Sequence, residues 1–347
     1  MLKPYNRAEI LFDLVEEIAE QGQNSRTYVS RDHQLDAEIV TKQIAKASLT
    51  SPDNFFDEAK ALYASAHPNV VQIHYACQDA EHIYLAMPYY RMGSVRGLIT
   101  GQHMTVREIV AVGCQVLSGL HNIHSKGLIH FDVKPDNILL SDRGEALLSD
   151  FGLAKQTNYA GVAAQDRRYI KMIPPEATLG DHFDLRFDIF QFGLTLYRMC
   201  NGNETFYAQF ERYGPWDEFD RAAFRDDVCN GAFPDRRLFA PHIPQTLRNV
   251  VKKCIEADPA RRFRSATDVA NALAGIDGET LDWRLAEFDD RRVWTKNENG
   301  TSYEFTVTCD GASQCFKTTA GGRARRVGDG CKEAITTTEI KRFLSSH

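Results

Sequence analysis

Two short stretches of this chain carry acid, amine and amide groups at a spacing that suits one reaction. His130-Phe131-Asp132-Val133-Lys134-Pro135-Asp136-Asn137 supplies an acid, then a lysine, then an amide, and Asp150-Phe151-Gly152 supplies a second acid. In-line transfer of a phosphoryl group asks little covalent work of a protein; it asks for positioning and charge neutralisation. Asp132 would orient an acceptor hydroxyl and take its proton, and Lys134 would stand beside the transferring phosphate and hold its charge. Asn137 and Asp150 offer hard oxygens to Mg²⁺, which prefers one or two protein oxygens plus phosphate and water to a cage made of protein alone. Scattered surface acids would not produce these four groups in this order.

On these motifs, residues from about 15 to 275 resemble the eukaryotic-type protein kinase family, and the Asp-x-Lys-Pro-x-Asn form of Asp132–Asn137 is similar to its serine/threonine branch. The resemblance implies an α+β, two-lobed protein kinase-like fold. A small β-rich lobe would span residues 1–90 and a large helical lobe residues 91–276, with a small C-terminal α+β appendage over 277–347. It implies transfer of the γ-phosphoryl of ATP, with Mg²⁺, to a serine or threonine hydroxyl of a protein substrate. The compact core without insertions, and the tail, would suit a bacterial or phage-related member.

The same resemblance assigns residues upstream. Lys42, closing the β-branched run Ile39-Val40-Thr41, would reach the α- and β-phosphates, and Glu58, on a segment of helical periodicity from Phe55 to Leu62, would pair with it. Leu62 falls one turn after Glu58 and would form an apolar column with Ile73, His130 and Phe151. Where similar kinases place three glycines over the phosphates, Glu20-Gln21-Gly22-Gln23-Asn24-Ser25 keeps only Gly22, so a loosely held nucleotide is expected. By the family's spacing, adenine would meet the carbonyl of Pro88 and the N–H of Tyr90 in the linker after Tyr84-Leu85-Ala86-Met87; Met87 would guard the pocket behind it and Leu139 would form its floor. A proline costs nothing at the acceptor position, because it lacks only the N–H. Ordinary core packing would account for Met87 equally well.

Further landmarks fit the large lobe. Glu176, in Ile173-Pro174-Pro175-Glu176, would pair with Arg262, and Asp188 would bond the backbone around Asp132. Buried charges persist only when paired and hydrogen-bonded, so these three residues read as structural. Phe131 stands where many similar kinases carry the arginine that binds a phosphorylated activation segment. Between Asp150 and Glu176 the hydroxyls are Thr157, Tyr159 and Tyr169, with no serine. Activity independent of activation-segment phosphorylation is therefore expected. Arg167, Arg168 and Lys171 suggest acidic surroundings around the acceptor.

Composition bounds the alternatives. The 347 residues suit a two-lobed unit with a small addition, and 43% hydrophobic residues suffice for a full core. A formal net charge of −6 gives no support for nucleic-acid binding by the whole chain. No long apolar run or signal-peptide pattern is present, so no membrane span and a cytoplasmic location are expected. The eight cysteines are spread singly, as reduced thiols would be. Ile10, Leu11, Leu14, Val15 and Ile18 have helical spacing and predict an N-terminal helix on the small lobe, and Val110–Ile123, Phe187–Met199, Leu247–Ile255 and Ala266–Leu273 predict helices of the large lobe.

Beyond residue 278 the resemblance ends. Ser302–Cys309 alternates as a half-buried strand, with Asn299-Gly300 and Asp310-Gly311 as turns toward Val293-Trp294 and Gln314–Lys317. Thr336 and Glu339 have capping-box spacing for a last helix carrying Ile340, Phe343 and Leu344 over the sheet, and a unit this small is expected to lean on the large lobe. Cys309, Cys315, Cys331 and His347 make a poor zinc set, having no Cys-x-x-Cys pair. From Trp283 on there are 11 Lys and Arg against 9 Asp and Glu; Arg323, Arg325 and Arg326 read either as a docking surface or as a solvated turn. Two other functions stay open beside the kinase reading. A pseudokinase scaffold would bind nucleotide and partner without transfer, which the single Gly22 favours and the six charged and amide positions oppose. A small-molecule kinase is opposed by Lys134 in its Asp-x-Lys setting.

Overall fold

The computed structural model describes residues 9–20, 25–49, 56–167 and 169–347. The first lobe is an antiparallel five-stranded sheet of β1 (Phe12–Glu20), β2 (Ser25–Asp32), β3 (Ala37–Ala45), β4 (Tyr75–Gln78) and β5 (His82–Pro88), in the order β1-β2-β3-β5-β4. One helix, α1 (Asp57–Ala64), joins β3 to β4 and buries Ala59 and Leu62. The β-branched run of β3 buries Ile39, Thr41 and Lys42, which brings the lysine inside the lobe.

The expected N-terminal helix is corrected here. Leu14, Val15 and Ile18 lie on β1, which pairs with β2 nearly end to end, from Phe12 opposite Asp32 to Glu20 opposite Arg26. The register breaks between Leu14 and Glu16 and again between Glu17 and Ala19. Each break moves the apolar side chains off strict alternation, which is how a bulged strand comes to imitate a 3.6-residue period. Ile10, Leu11, Leu14, Val15 and Ile18 are all exposed, so no buried helical face exists to drive the alternative.

The large lobe follows α2 (Val95–Leu98) with α3 (Val106–Ser125), whose Thr105 and Glu108 form a full capping box. Short strands then frame the site: β6 (Leu128–Ile129), β7 (Ile138–Leu140), β8 (Ala146–Leu148), β9 (Lys155–Gln156), β10 (Ala163–Ala164) and β11 (His182–Phe183). The helices α4 (Arg186–Asn201), α5 (Asn203–Glu211), α6 (Arg221–Cys229), α7 (Gln245–Cys254) and α8 (Ala266–Ala274) complete it. Residues 187–201 of α4 are all buried, as for a helix packed on every side. It lies so close to the end of α7 that a Cβ on Gly193 would fall 2.5 Å from Cys254 Cβ.

The tail is a meander, β12 (Arg284–Glu287), β13 (Arg291–Glu298), β14 (Thr301–Thr308), β15 (Ser313–Thr319) and β16 (Arg325–Arg326), each strand paired to the next. Its last helix, α9 (Thr337–Ser346), opens with the expected Thr336–Glu339 capping box and buries Ile340, Phe343 and Leu344 with Trp283, Trp294 and Phe305. Arg107 grips Asp282 through two bonds of 2.6 and 2.8 Å, and Arg284 reaches Glu108 at 2.5 Å and the His103 carbonyl at 3.0 Å, so the tail leans on the start of α3. Arg323, Arg325 and Arg326 are exposed. All eight cysteines are free; Cys331 accepts from the Cys315 N–H at 3.3 Å, while Cys309 is exposed, with its thiol directed at the Asp289 carbonyl. No cluster of three metal-ligating side chains occurs among the described residues. No helix among them is long and apolar enough to cross a membrane.

Candidate active site

The site is built on a backbone that α4 holds from below. Asp188, Gln191 and Thr195 recur at i, i+3 and i+7, so they share one helix face. Asp188 accepts from the N–H groups of His130 and Phe131, both at 2.8 Å, and from His124 Nε2 at 2.8 Å. Gln191 accepts from Val133 N–H at 2.9 Å and donates to the Phe131 carbonyl at 3.1 Å, and Thr195 Oγ1 reaches the Val133 carbonyl at 3.4 Å. These bonds pin Phe131 at a φ of +66°, a region costly for a bulky side chain. Its ring is locked edge-on against Phe187 and Phe183, at 4.9 and 6.1 Å between centroids.

On this frame Asp132 is buried, and its two carboxylate oxygens differ. Oδ2 accepts from Lys134 Nζ at 2.6 Å and Asn137 Nδ2 at 2.8 Å, whereas Oδ1 is buried without any hydrogen-bond partner among the described residues. An orphaned buried carboxylate oxygen is costly unless a donor arrives. Asn137 Nδ2 also donates to the Asp132 carbonyl at 2.9 Å, which turns its amide oxygen the other way.

The second acid approaches from the far side. Lys42 Nζ makes three bonds, to Asp150 Oδ1 at 2.7 Å and to Glu58 Oε1 and Oε2 at 2.8 and 3.0 Å, which saturates its donors. Burial opposes charge on all three groups, yet the attraction of both carboxylates holds the Lys42 ammonium well above its usual value. Burial would raise Asp150, but the Lys42 ammonium outweighs it and holds the carboxyl below the usual carboxylate range. Burial raises Glu58 against the pull of Lys42, with Asp150 adding to the rise. Asp150 sits at a φ of +60°, and among the described residues its carboxylate accepts at Oδ1, from Lys42 Nζ and from Gly152 N–H. Hard oxygens from Asp150 and Asn137 therefore fit a Mg²⁺ ion, and Lys42 would be shared with a nucleotide's phosphates.

His130 is fully buried; its ring meets Phe151 edge-on at 4.9 Å, and Leu62 and Ile73 pack in the same core. Its Nε2 donates to the Ser149 carbonyl while Nδ1 accepts from Asp132 N–H, and burial lowers its pKa against the pull of the nearby carboxylates and the Ser149 bond. In the linker, Pro88 ends β5 opposite Ile39, and Met87 packs against the core. Leu139 pairs in an isolated antiparallel bridge with Ser94, four residues past Tyr90 in the chain. Gly22 lies outside the described residues, as does Arg168. Glu176 meets Arg262 through bonds of 2.7 and 2.6 Å.

With this geometry in place, the sequence pattern described as protein kinase domain matches residues 14–272. The chain belongs to the protein kinase domain family. Similar proteins include a probable serine/threonine-protein kinase of Clostridium acetobutylicum, 26% identical over 270 residues, covering 76% of this chain and 39% of that protein. Serine/threonine-protein kinase PknD of Chlamydia trachomatis is 27% identical over 301 residues, covering 76% and 31%. Serine/threonine-protein kinase PrkC of Bacillus subtilis is 22% identical over 283 residues, covering 79% and 42%. The match thus spans about a third to two-fifths of these relatives' length, and the tail fold of β12–β16 and α9 falls beyond the family's span.

The sequence motifs did not reveal Gln191 or Thr195, though their spacing from Asp188 on an apolar helix was the available signal. Nor did they reveal that Asp136 is bonded by Arg96 and faces Arg198.

Proposed function

We propose that this kinase-family chain transfers the γ-phosphoryl group of ATP to a serine or threonine hydroxyl of a protein. The single observation that carries the reading is the unsatisfied Asp132 Oδ1, buried beside Lys134 and Asn137. Asp132 accepts the proton of the incoming hydroxyl at Oδ1, while Lys134 and Asn137 hold Oδ2 and fix the carboxylate's orientation. Lys42, aimed by Glu58, binds the phosphates, and the linker at Met87, Pro88 and Tyr90, with Leu139, receives adenine. Asn137 and Asp150 would hold Mg²⁺, which when bound neutralises charge on the phosphates.

Ordering of the segment after Asp150 needs no phosphate in this reading. Gln165, buried, donates to the Leu153 carbonyl at 2.7 Å, Ala163 and Ala164 pair with β11, and Phe131 fills its surroundings with an aromatic cluster rather than a charge. Incubation with γ-labelled ATP and Mg²⁺ tests the proposal. Label on serine or threonine, lost in Asp132→Ala and Asp150→Ala and kept in Thr157→Ala, is expected. Label that survives both aspartate substitutions would remove the assigned roles, and loss of label in Thr157→Ala would remove the independence from phosphorylation.

A further inference from the structure

Next to the transfer groups lies a charged cluster that the chemistry does not use. Asp136 is held by Arg96, Nη1 to Oδ1 at 2.9 Å, and faces Arg198, Nη2 to Oδ2 at 3.5 Å. Arg198 is fully buried; Asn203 Oδ1 accepts from its Nε and Nη2 at 3.0 and 2.8 Å, and Tyr207 Oη accepts at 3.2 Å. The Lys171 ammonium rests over the rings of Tyr207 and Phe210, 4.6 and 4.8 Å from their centroids. Lys134, bonded to Asp132, stands 4.6 Å over the ring of Tyr169. Burial, then the neighbouring Tyr207 and Asp136, push the Tyr169 phenol up to about 12. Tyr169 and Tyr207 therefore form a floor that runs from the catalytic pair to Lys171.

Three cations, Arg96, Lys171 and Arg198, gather around this floor against two carboxylates, Glu211, which acts on Lys171, and Asp136. Burial, and then repulsion from Arg198 and Arg96, lowers the Lys171 pKa, so its charge is held at a cost. An added carboxylate would relieve that cost. Asp136 Oδ1 is taken by Arg96, and its Oδ2, which has no hydrogen-bond partner among the described residues, is buried beside Arg198, so a basic side chain arriving from outside would meet the cations first. Arg96 is exposed and Lys171 half-buried, so both remain reachable from outside, whereas Arg198 sets the field from within. Arg167 plays no part in this cluster, since its guanidinium donates to the Gly152 carbonyl at 3.3 Å.

We propose that Lys171 and Arg96 select protein substrates carrying an aspartate or glutamate beside the acceptor serine or threonine. The proposal rests on the kinase reading above and names its substrate class.

The test uses the full chain and a peptide set with one acceptor serine and glutamate, alanine or arginine at each flanking position in turn. The readout is the ratio of kcat/KM for the glutamate peptide to that for the arginine peptide, taken within one protein preparation so that any general loss of activity cancels. At one flanking position or more the wild-type ratio should be about tenfold, the size of one charge-assisted contact. Lys171→Glu should bring it to about one or invert it, and Arg96→Ala, which frees a carboxylate oxygen of Asp136, should move it the same way. A wild-type ratio of one, or a preference for arginine, at every position would overturn the proposal. So would a ratio unchanged in both variants. Transfer to the alanine peptide without charge preference would leave the kinase reading standing alone; no transfer to any peptide and none to the protein itself would remove both.

Discussion

Asp132 has one oxygen committed to Lys134 and Asn137 and one without a hydrogen-bond partner among the described residues, and the proposed role as base rests on that asymmetry. Asp132→Asn keeps the shape and removes the proton acceptor. Its transfer rate should fall by roughly 10²–10⁴-fold while the melting temperature stays near that of the wild type; a rate within a few-fold of wild type would reassign the base. Lys42→Met removes an ammonium that two carboxylates share. It should weaken nucleotide binding, and it leaves Glu58 and Asp150 facing each other without a cation, so a stability loss of about 3 kcal/mol or more should appear in urea titration. The groups proposed to act here were legible because they fall in short motifs: Asp132, Lys134 and Asn137 within six residues, and Asp150 beside Phe151 and Gly152. The charge pattern around Asp136 was not, because Arg96, Lys171, Arg198 and Tyr207 meet only after the chain has folded over more than a hundred residues.

At the scale of elements, α4 is the part on which the site depends. It lies buried under the loop at Asp132, its Asp188, Gln191 and Thr195 replace backbone partners the loop cannot find in itself, and Gly193 lets it lie against the end of α7. Gly193→Ala would place its Cβ 2.5 Å from Cys254 Cβ and 2.6 Å from Ile255 Cγ2. We expect a destabilisation of about 1–3 kcal/mol, read as a lower urea midpoint; an unchanged midpoint would show that the helices part at little cost. The segments of α3, α7 and α8 were readable from sequence, since a buried stripe leaves a 3.6-residue signature, and α4 was readable as a long apolar run, being buried on every side. The opposite case is β1, where two breaks in register gave a strand the spacing of a helix. Neither α5 nor α6 was signalled: both are nine residues long and pack into an aromatic cluster around Phe210, Phe219, Phe224 and Phe233 that draws on loops as well as helices.

For the whole molecule, the tail and the large lobe meet around two histidines. His103 bonds Glu287 of β12 through Nε2 at 3.1 Å, and His242 lies edge-on to it, fully buried. Burial, helped by His103, lowers the His242 pKa from 6.5 to about 3. Its contribution to stability is thus complete above pH 6.5 and is lost as the pH falls toward 3, because the unfolded chain binds the proton first. Inside that window stability should fall by about 1.4 kcal/mol per pH unit, and His242→Leu should flatten the fall. An identical slope in the variant would place the acid sensitivity elsewhere. The tail's own fold was readable from turn pairs and the capping box at Thr336, while its seat on α3 depends on Arg107, Asp282, Arg284 and Glu108, which no local pattern joins.

The most direct test of the account compares nucleotide binding with transfer in the same proteins, wild type and Asp132→Asn. Both should bind Mg-ATP with affinities within a few-fold of each other, and only the wild type should move label to serine or threonine at an appreciable rate. Equal binding with no transfer by the wild type to itself or to any peptide, or equal transfer by both, would contradict it.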